Sequence, residues 1–152
     1  MSSSEKILIA ADHAAVDLKK ALIQNLKNTS FEDLGPFDAN SVDYPDYAEK
    51  LAMRISKGEA KRGILLCGSG IGMSIAANKF PGVRAALVHS AETARLSRMH
   101  NDANVLCLGS RVLKTELAIE CAKVWLDTDF SAEDRHQNRV NKISRIEGNH
   151  CR

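Results

Sequence analysis

The sequence predicts a doubly wound α/β domain with a five-stranded parallel sheet. Short apolar runs alternate with longer segments in which apolar residues recur at helical spacing, and this alternation occurs five times. The run Ile64-Leu65-Leu66 contains no polar residue, which is typical of a strand buried on both faces. Strands that alternate with helices form a parallel sheet covered by helices on both sides. At 152 residues the chain fits a single domain, residues 1–152.

In the first part of the chain, strands and helices are separated by clear stop signals. Gly35-Pro36 ends the second strand before a polar loop, and Gly58 is suited to the C-terminal end of the second helix. The predicted elements are strands over residues 6–11, 31–34 and 64–66, with helices from Ala14 to about Leu26 and from Tyr44 to about Lys57.

The second part begins with a glycine-rich turn and a helix that starts near Met73. Two further strands are predicted over residues 83–88 and 105–108, with a helix over residues 91–99 between them. Helices over residues 113–126 and 133–146 follow, the last of them an extra C-terminal helix. Residues 1–5 and 148–152 are expected to be flexible tails.

The charge balance limits the classes of partner. Twenty-one Lys and Arg residues against nineteen Asp and Glu residues give a formal net charge of +2, which is too close to balance to favour a nucleic acid or a membrane surface.

No apolar run approaches the ~20 residues of a membrane span, and residues 1–6 lack the apolar core of a secretion signal. We therefore expect a cytoplasmic protein.

Metal binding is not indicated by the sequence. The four cysteines form no C-x-x-C pair and have no zinc spacing, and neither an H-E-x-x-H motif nor a carboxylate cluster with ligand spacing is present. Cys107 and Cys121 lie inside apolar periodic runs and are expected to be buried thiols.

The loop Gly68-Ser69-Gly70-Ile71-Gly72 lies between a buried strand and a helix. The free N–H groups and the positive dipole end at a helix N-terminus favour an anion. Met73 stands where a nucleotide loop has lysine and where a dinucleotide fingerprint has its third glycine. The loop therefore fits a single phosphate or an oxyanion better than a nucleotide, although close packing of a strand and a helix also requires glycines.

Cys67 ends the central strand beside this loop. Thiols at the entry to a helix often ionise near neutral pH, which suits a general base. The alternative is a small apolar side chain at the end of a strand. Ser69 is either the N-cap of the following helix or a hydroxyl that relays protons.

Other polar groups follow the ends of predicted strands. Because ligands of open parallel sheets bind beyond the carboxyl ends of the strands, we expect these groups to face one crevice. They are Asp12-His13, Cys67-Gly68-Ser69, His89 and Gly109-Ser110-Arg111.

Two further pairs of residues are candidates with weaker support. His100-Asn101 precedes a strand instead of following one, which argues against the same crevice, although histidine suits acid–base chemistry. Arg135 and Arg139 are four residues apart and share a helix face, which is either an anion site or a solvated charged surface. On a solvated surface, the neighbouring His136 would be exposed.

The chain resembles the type B ribose-5-phosphate isomerases and the related galactose-6-phosphate isomerase subunits. The resemblance runs from about Lys6 to Glu147 and is strongest over residues 67–79. The other similar segments are residues 12–13, 43–48, 84–85, 100–105, 109–111 and 135–140.

This resemblance implies interconversion of D-ribose 5-phosphate and D-ribulose 5-phosphate through an enediolate, without metal or cofactor. It would place the enzyme in the non-oxidative branch of the pentose phosphate pathway. By similarity, Cys67 is the base that moves the proton between C1 and C2, Ser69 passes protons at the adjacent oxygens, and His100 assists opening of the furanose ring.

The resemblance also implies which residues bind the substrate. Backbone N–H groups of Gly68, Ser69, Gly70, Ile71 and Gly72, together with Asn101, would stabilise the enediolate oxygens. Asp12 and His13 would contact the sugar and its ring oxygen or phosphate end. Arg111, Arg135 and Arg139 look like the anion-binding positions.

The family further implies a homodimer in which Arg135 and Arg139 reach the phosphate of the neighbouring subunit. Whether two dimers associate stays open. An allose-6-phosphate or galactose-6-phosphate isomerase and a non-catalytic sugar-phosphate-binding module are the alternatives. Cys67 favours the ribose enzyme, because the galactose-6-phosphate isomerase subunits depart from the family at this cysteine.

Overall fold

The computed structural model describes residues 4–150, so Cys151 and parts of both predicted tails lie outside the described residues. The strands are β1 (Lys6–Ala11), β2 (Ser30–Asp33), β3 (Gly63–Cys67), β4 (Ala85–Leu87) and β5 (Val105–Gly109). The helices are α1 (Val16–Asn25), α2 (Tyr44–Ser56), α3 (Ile71–Ala77), α4 (Ala91–Met99), α5 (Thr115–Asp127) and α6 (Asp134–His150). All strand pairs are parallel, in the order β2-β1-β3-β5-β4. The predicted doubly wound α/β fold is confirmed.

Side chains of the sheet alternate between two helical layers, as the pleat of a strand requires. On one face, Ile7, Ile9 and Ala11 of β1 belong to a core formed with α1, α4 and α5. On the other face, Leu8 and Ala10 belong to a core formed with α2 and α3. All residues of β3 and β5 are buried. Burial on both faces explains why these strands are continuously apolar.

Helix α1 begins two residues later than predicted, at Val16 instead of Ala14. The carboxylate of Asp12 accepts the N–H of Ala14 at 3.0 Å and caps a short 3-10 turn over His13–Ala15. A capped tight turn satisfies the first N–H groups before the α-helix starts. The end of β1 is therefore joined to α1 by a fixed turn.

Strand β4 is an edge strand and is shorter than the predicted residues 83–88. The N–H of Arg84 donates to the side-chain oxygen of Asn104 at 2.8 Å instead of extending the ladder. On the outer edge, the Asn78 amide accepts from the N–H of Ala85 at 2.8 Å and donates to its carbonyl at 3.0 Å. The outward-facing backbone groups of Ala85 are thereby paired with a side chain.

Helix α6 packs loosely on its own chain. It continues through residues 148–150, which the sequence assigns to a flexible tail, and its buried residues are His136 and Val140. Ile143 and Ile146 remain 45% and 60% exposed. No helix among residues 4–150 is long and apolar enough to cross a bilayer.

Candidate functional site

Cys67 is the last residue of β3 and is only 4% exposed. The chain turns through two residues to Gly70, whose left-handed backbone (φ +78°) ends the loop and starts α3 at Ile71 instead of near Met73. The N–H of Gly70 donates to the sulfur of Cys67 at 3.1 Å. The loop thus folds back over the thiol and places it beside the N-terminus of α3.

The other two described cysteines have a different environment. Cys107 on β5 and Cys121 on α5 are fully buried, which confirms the sequence prediction. Burial raises the pKa of the Cys107 thiol far above its ordinary value, and charge on nearby Cys67 acts in the same direction. Burial also raises the pKa of Cys121. Both thiols therefore stay protonated and inert at neutral pH.

The glycine loop, residues 68–72, lies directly on the end of β5. A β-carbon on Gly109 would lie 2.5 Å from the carbonyl oxygen of Ser69, and one on Gly70 would lie 2.6 Å from a methyl of Leu87. Contacts this short leave no room for a side chain, so glycine is required at both places. The Ser69 hydroxyl accepts the N–H of Ile71 at 3.2 Å, but the N-cap of α3 is Gly70, so the N-cap interpretation of Ser69 is wrong.

The loop after β5 is hydrogen-bonded to the glycine loop. The N–H of Ser110 donates to the carbonyl of Cys67, and the N–H of Arg111 donates to the carbonyl of Gly68, each at 2.9 Å. The Arg111 guanidinium then lies beside Gly68, with Nη1 3.2 Å from the position of a β-carbon there. A positive charge therefore stands at the side of the loop.

The end of β1 reaches the same edge of the sheet. The N–H of Asp12 donates to the carbonyl of Leu66 at 3.0 Å, which places Asp12 next to the end of β3. His13 follows, and its Nδ1 lies 3.1 Å from both the N–H and the carbonyl oxygen of Val42. The segment before α2 therefore holds the imidazole ring in place.

Tyr44 belongs to this site, and sequence reasoning missed its role. The residue opens α2, and its ring lies over the glycine loop so closely that a β-carbon on Gly72 would be 2.9 Å from the phenol oxygen. The available signal was an aromatic residue in the family-like residues 43–48, which the sequence analysis used only to start a helix. We name the following set the C-terminal-edge site: Asp12, His13, Tyr44, Cys67, the glycine loop and Arg111.

His100 and Asn101 do not join this site within one chain. Helix α4 leads from the C-terminal end of β4 back to the N-terminal end of β5, and His100 follows its last residue. Cys67 pairs with Gly109 at the other end of β5. A strand of this length spans ~16 Å, so His100 lies at the opposite edge of the sheet from the thiol.

A histidine pair occupies that opposite edge. The ring centroids of His100 and His136 are 4.2 Å apart with a tilt of 34°. The Ser131 hydroxyl lies 2.8 Å from Nδ1 of His136, which is 3% exposed, so the exposure predicted for a solvated surface is wrong for this residue. Burial lowers the pKa of His136, and a charged His100 acts in the same direction.

Arg135 and Arg139 flank His136 on α6, at the same edge of the sheet as His100. Both are exposed. The Arg135 side chain is 63% exposed and forms an ion pair with Glu133 at 3.1 Å. We name the set His100, Asn101, Arg135, His136 and Arg139 the N-terminal-edge cluster.

The C-terminal-edge site combines groups that suit proton transfer at a carbon beside a carbonyl. It contains a thiol, a hydroxyl, backbone N–H donors at a helix N-terminus and a guanidinium. A base of this kind and donors aimed at a developing oxyanion are what such a reaction requires. Among the residues that the structure describes, no group of three His, Cys, Asp or Glu side chains could hold a metal ion.

Comparison with protein families gives a match over most of the chain. The Ribose/Galactose Isomerase family matches residues 7–143. A relative named ribose-5-phosphate isomerase B from Escherichia coli (strain K12) is 43% identical over 145 residues, covering 94% of this chain and 97% of the relative.

Solved structures show the same fold. The type B ribose 5-phosphate isomerase of Trypanosoma cruzi is 45% identical and superposes with a TM-score of 0.94, covering 97% of this chain and 99% of that one. The ribose-5-phosphate isomerase B of Mycoplasma genitalium, solved with bound ribulose-5-phosphate, is 45% identical with a TM-score of 0.88, covering 95% of this chain and 97% of that one.

Proposed function

Given that the chain belongs to the ribose/galactose isomerase family and is an isomerase, we propose that it interconverts D-ribose 5-phosphate and D-ribulose 5-phosphate. The observation that carries this proposal is the glycine loop folded over Cys67, with the Gly70 N–H on the sulfur. Support for the substrate comes from the Mycoplasma genitalium relative, whose structure holds ribulose-5-phosphate.

In the proposed reaction, Cys67 acts as the general base in its thiolate form. The sulfur removes the proton from C2 of the open-chain aldose, the electron pair forms the C1–C2 double bond, and O1 carries the negative charge. Return of the proton from the Cys67 thiol to C1, with transfer of the O2 proton to O1 and formation of the C2=O2 double bond, gives the ketose. A proton beside a carbonyl is weakly acidic, so both a positioned base and a stabilised oxyanion are required.

The glycine loop is suited to hold the enediolate oxygens. Its N–H groups lie at the N-terminus of α3, where the helix dipole favours negative charge. Preorganised donors of this kind contribute several kcal/mol to transition-state stabilisation. Ser69, in the same loop, would pass protons between O1 and O2.

The phosphate would lie away from the glycine loop. In this proposal it is held by His13, whose ring is fixed by Val42, and by arginines. Arg111 contributes from the C-terminal-edge site, while Arg135 and Arg139 contribute from the N-terminal-edge cluster. Arginine suits this task because its planar fork of donors matches phosphate oxygens.

The two sets of residues meet only if two subunits combine. We therefore propose a homodimer in which His100 of the partner subunit opens the furanose ring beside Cys67, with Asn101 of the partner subunit on the enediolate. The distance between the two edges of the sheet supports this arrangement, as do the exposed Ile143 and Ile146 of α6. The free thiols agree with the predicted cytoplasmic location.

The test is replacement of the proposed base. Cys67→Ala is expected to lower kcat for ribose 5-phosphate by about a thousandfold, because general-base catalysis contributes that order of magnitude. Cys107→Ala is the matched control, since it removes a thiol from the neighbouring strand and leaves the site intact. Ribulose 5-phosphate formation and exchange of the C2 proton with heavy water would both be measured. A Cys67→Ala enzyme with kcat close to that of the wild type would show that another group is the base.

A second candidate is a six-carbon substrate, because the matching family also contains galactose isomerases. Initial rates with ribose, allose and galactose phosphates in one assay separate the candidates through kcat/KM. A wild-type protein that binds these compounds but exchanges no C2 proton would instead be a sugar-phosphate-binding module.

A further inference from the structure

Lys19 is a buried cation that none of the proposed catalytic steps uses. It lies on α1 and is 1% exposed. Its Nζ donates to a carboxylate oxygen of Asp33 at 2.7 Å and to the carbonyl of Pro36 at 2.6 Å, and it lies 4.9 Å from the centroid of the Phe37 ring. Lysine is rarely this buried unless its charge is paired.

These contacts fix the start of the segment between β2 and α2. The Asp33 oxygen that binds Lys19 also accepts the N–H of Gly35 at 2.9 Å. The carbonyl of Gly35 in turn accepts the N–H of Ala11 at 3.0 Å, at the end of β1. One ammonium group therefore joins α1 to the point where the chain leaves β2.

The remainder of that segment is exposed until it reaches Val42. Residues 37–41 are all exposed. Val42 is half-buried and contacts Nδ1 of His13 through both its N–H and its carbonyl group. An exposed segment with few packing contacts is positioned by its two ends. One of those ends is held by Lys19, and the other holds His13.

We propose that Lys19 is a positioning residue for His13 in substrate binding. By anchoring the chain at Asp33 and Pro36, it fixes the distance between Val42 and the imidazole that is proposed to meet the phosphate end of the substrate. This inference rests on the proposed function. It assigns Lys19 to ground-state binding and not to proton transfer at Cys67.

The variant that tests this proposal removes both charges of the ion pair. Lys19→Met alone would leave Asp33, whose side chain is 28% exposed, without its cationic partner. Asp33→Asn keeps an oxygen acceptor for the N–H of Gly35. The double variant Lys19→Met/Asp33→Asn therefore loses the anchor to Pro36 with the least damage to the fold. Lys20→Met, on the exposed neighbouring residue of α1, is the matched control.

In the double variant, KM for ribose 5-phosphate is expected to rise about tenfold with kcat unchanged, because misplaced binding groups weaken ground-state and transition-state binding alike. When His13→Ala is added to the double variant, kcat/KM should equal that of His13→Ala by itself, because Lys19 acts through the His13 ring. A general loss of stability would instead add to the His13→Ala effect. Additive losses, an unchanged KM or an equal fall in kcat would each overturn the proposal.

Thermal melting followed by circular dichroism verifies that the double variant is folded at the assay temperature. If it is not folded, Lys19→Leu/Asp33→Asn, which also offers the Pro36 carbonyl no donor, is measured with the same criteria.

A separate measurement needs no substrate. In long-range ¹H–¹⁵N spectra assigned with His13→Ala, the Nδ1 signal of His13 is expected to move in the double variant and to stay in place in Lys20→Met. An unchanged signal would contradict the role of Lys19. Absence of isomerisation by the wild type would contradict only the proposed function.

Discussion

Arg135 and Arg139 show that the availability of a charged side chain for binding depends on how exposed its ion-pair partner is. They occupy one exposed face of α6, and the Glu133 carboxylate near Arg135 is itself exposed. A pair between exposed side chains contributes little to stability. The two guanidinium groups are therefore available to bind an external anion.

Replacing either arginine should affect binding more than chemistry. Arg135→Ala and Arg139→Ala are each expected to raise KM for ribose 5-phosphate about tenfold or more, because a phosphate contact is present in ground and transition states alike. Arg145→Ala, farther along the same exposed helix, serves as the control and should retain the wild-type KM. Steady-state kinetics with the three variants would settle the matter, and KM values equal to that of the wild type would support a solvated surface instead.

The contact between the His100 and His136 rings also depends on the properties of one residue, His136. Burial lowers the pKa of His136, so this ring is neutral at neutral pH and can lie against a second imidazole without charge repulsion. The side chain that the sequence assigned to an exposed surface thus supports the histidine proposed to open the sugar ring.

Among the elements, the unit formed by β3, the glycine loop and α3 is held closely against β5. Hydrogen bonds to the loop after β5 and the absence of space at Gly109 hold its backbone against a neighbouring strand. Loops that bind a developing charge must be held within a fraction of an ångström. Here the sheet itself provides that rigidity.

Gly109→Ala should disturb this unit. The new methyl group would lie 2.5 Å from the Ser69 carbonyl oxygen, a backbone atom that cannot rotate away, so the loop must shift. We expect kcat to fall about a hundredfold, the usual effect of a displacement near 1 Å. Gly148→Ala, on α6 with open space around it, is the control and should leave kcat unchanged. Equal kcat values for both variants would show that the loop tolerates displacement.

Local patterns in the sequence predict these elements well, whereas contacts between distant segments of the chain do not follow from such patterns. The apolar run before Cys67 and the glycines after it predict a strand, a turn and a helix because the deciding interactions lie within a few residues. The cover that Tyr44 forms over Gly72 joins residues 28 positions apart, so no periodicity reveals it. The length of α6 was underestimated because Gly148, usually a stop signal, lies within the helix.

At the scale of the whole molecule, the topology of the chain separates groups that the proposed reaction needs together. The C-terminal-edge site and the N-terminal-edge cluster lie at opposite ends of β5, and no rearrangement of side chains spans that length. The alternation of strands and helices predicts the fold class, yet the sequence leaves open which chain supplies each group. The family resemblance assigned only Arg135 and Arg139 to a neighbouring subunit, whereas the position of His100 extends the same argument to His100 and Asn101.

Mixing two inactive variants would test the shared site. Cys67→Ala and His100→Gln homodimers should each be nearly inactive, whereas subunit exchange should restore about a quarter of the wild-type activity. Half of the exchanged dimers are mixed, and each of these has one complete site out of two, as the symmetry of a dimer requires. Activity after mild denaturation and joint refolding would be compared with that of each variant refolded alone. No recovery in the mixture would place both groups in one subunit's site.

The amide of Asn78 at the edge of the sheet has a consequence for assembly. Because both outward-facing backbone groups of Ala85 are already bonded to this one side chain, β4 offers a further strand no hydrogen-bonding group at this position. Exposed strand edges are the usual starting points for edge-to-edge aggregation, and the Asn78 amide occupies part of this edge as a neighbouring strand would. A strand from another chain could pair with Ala85 only by displacing the Asn78 amide.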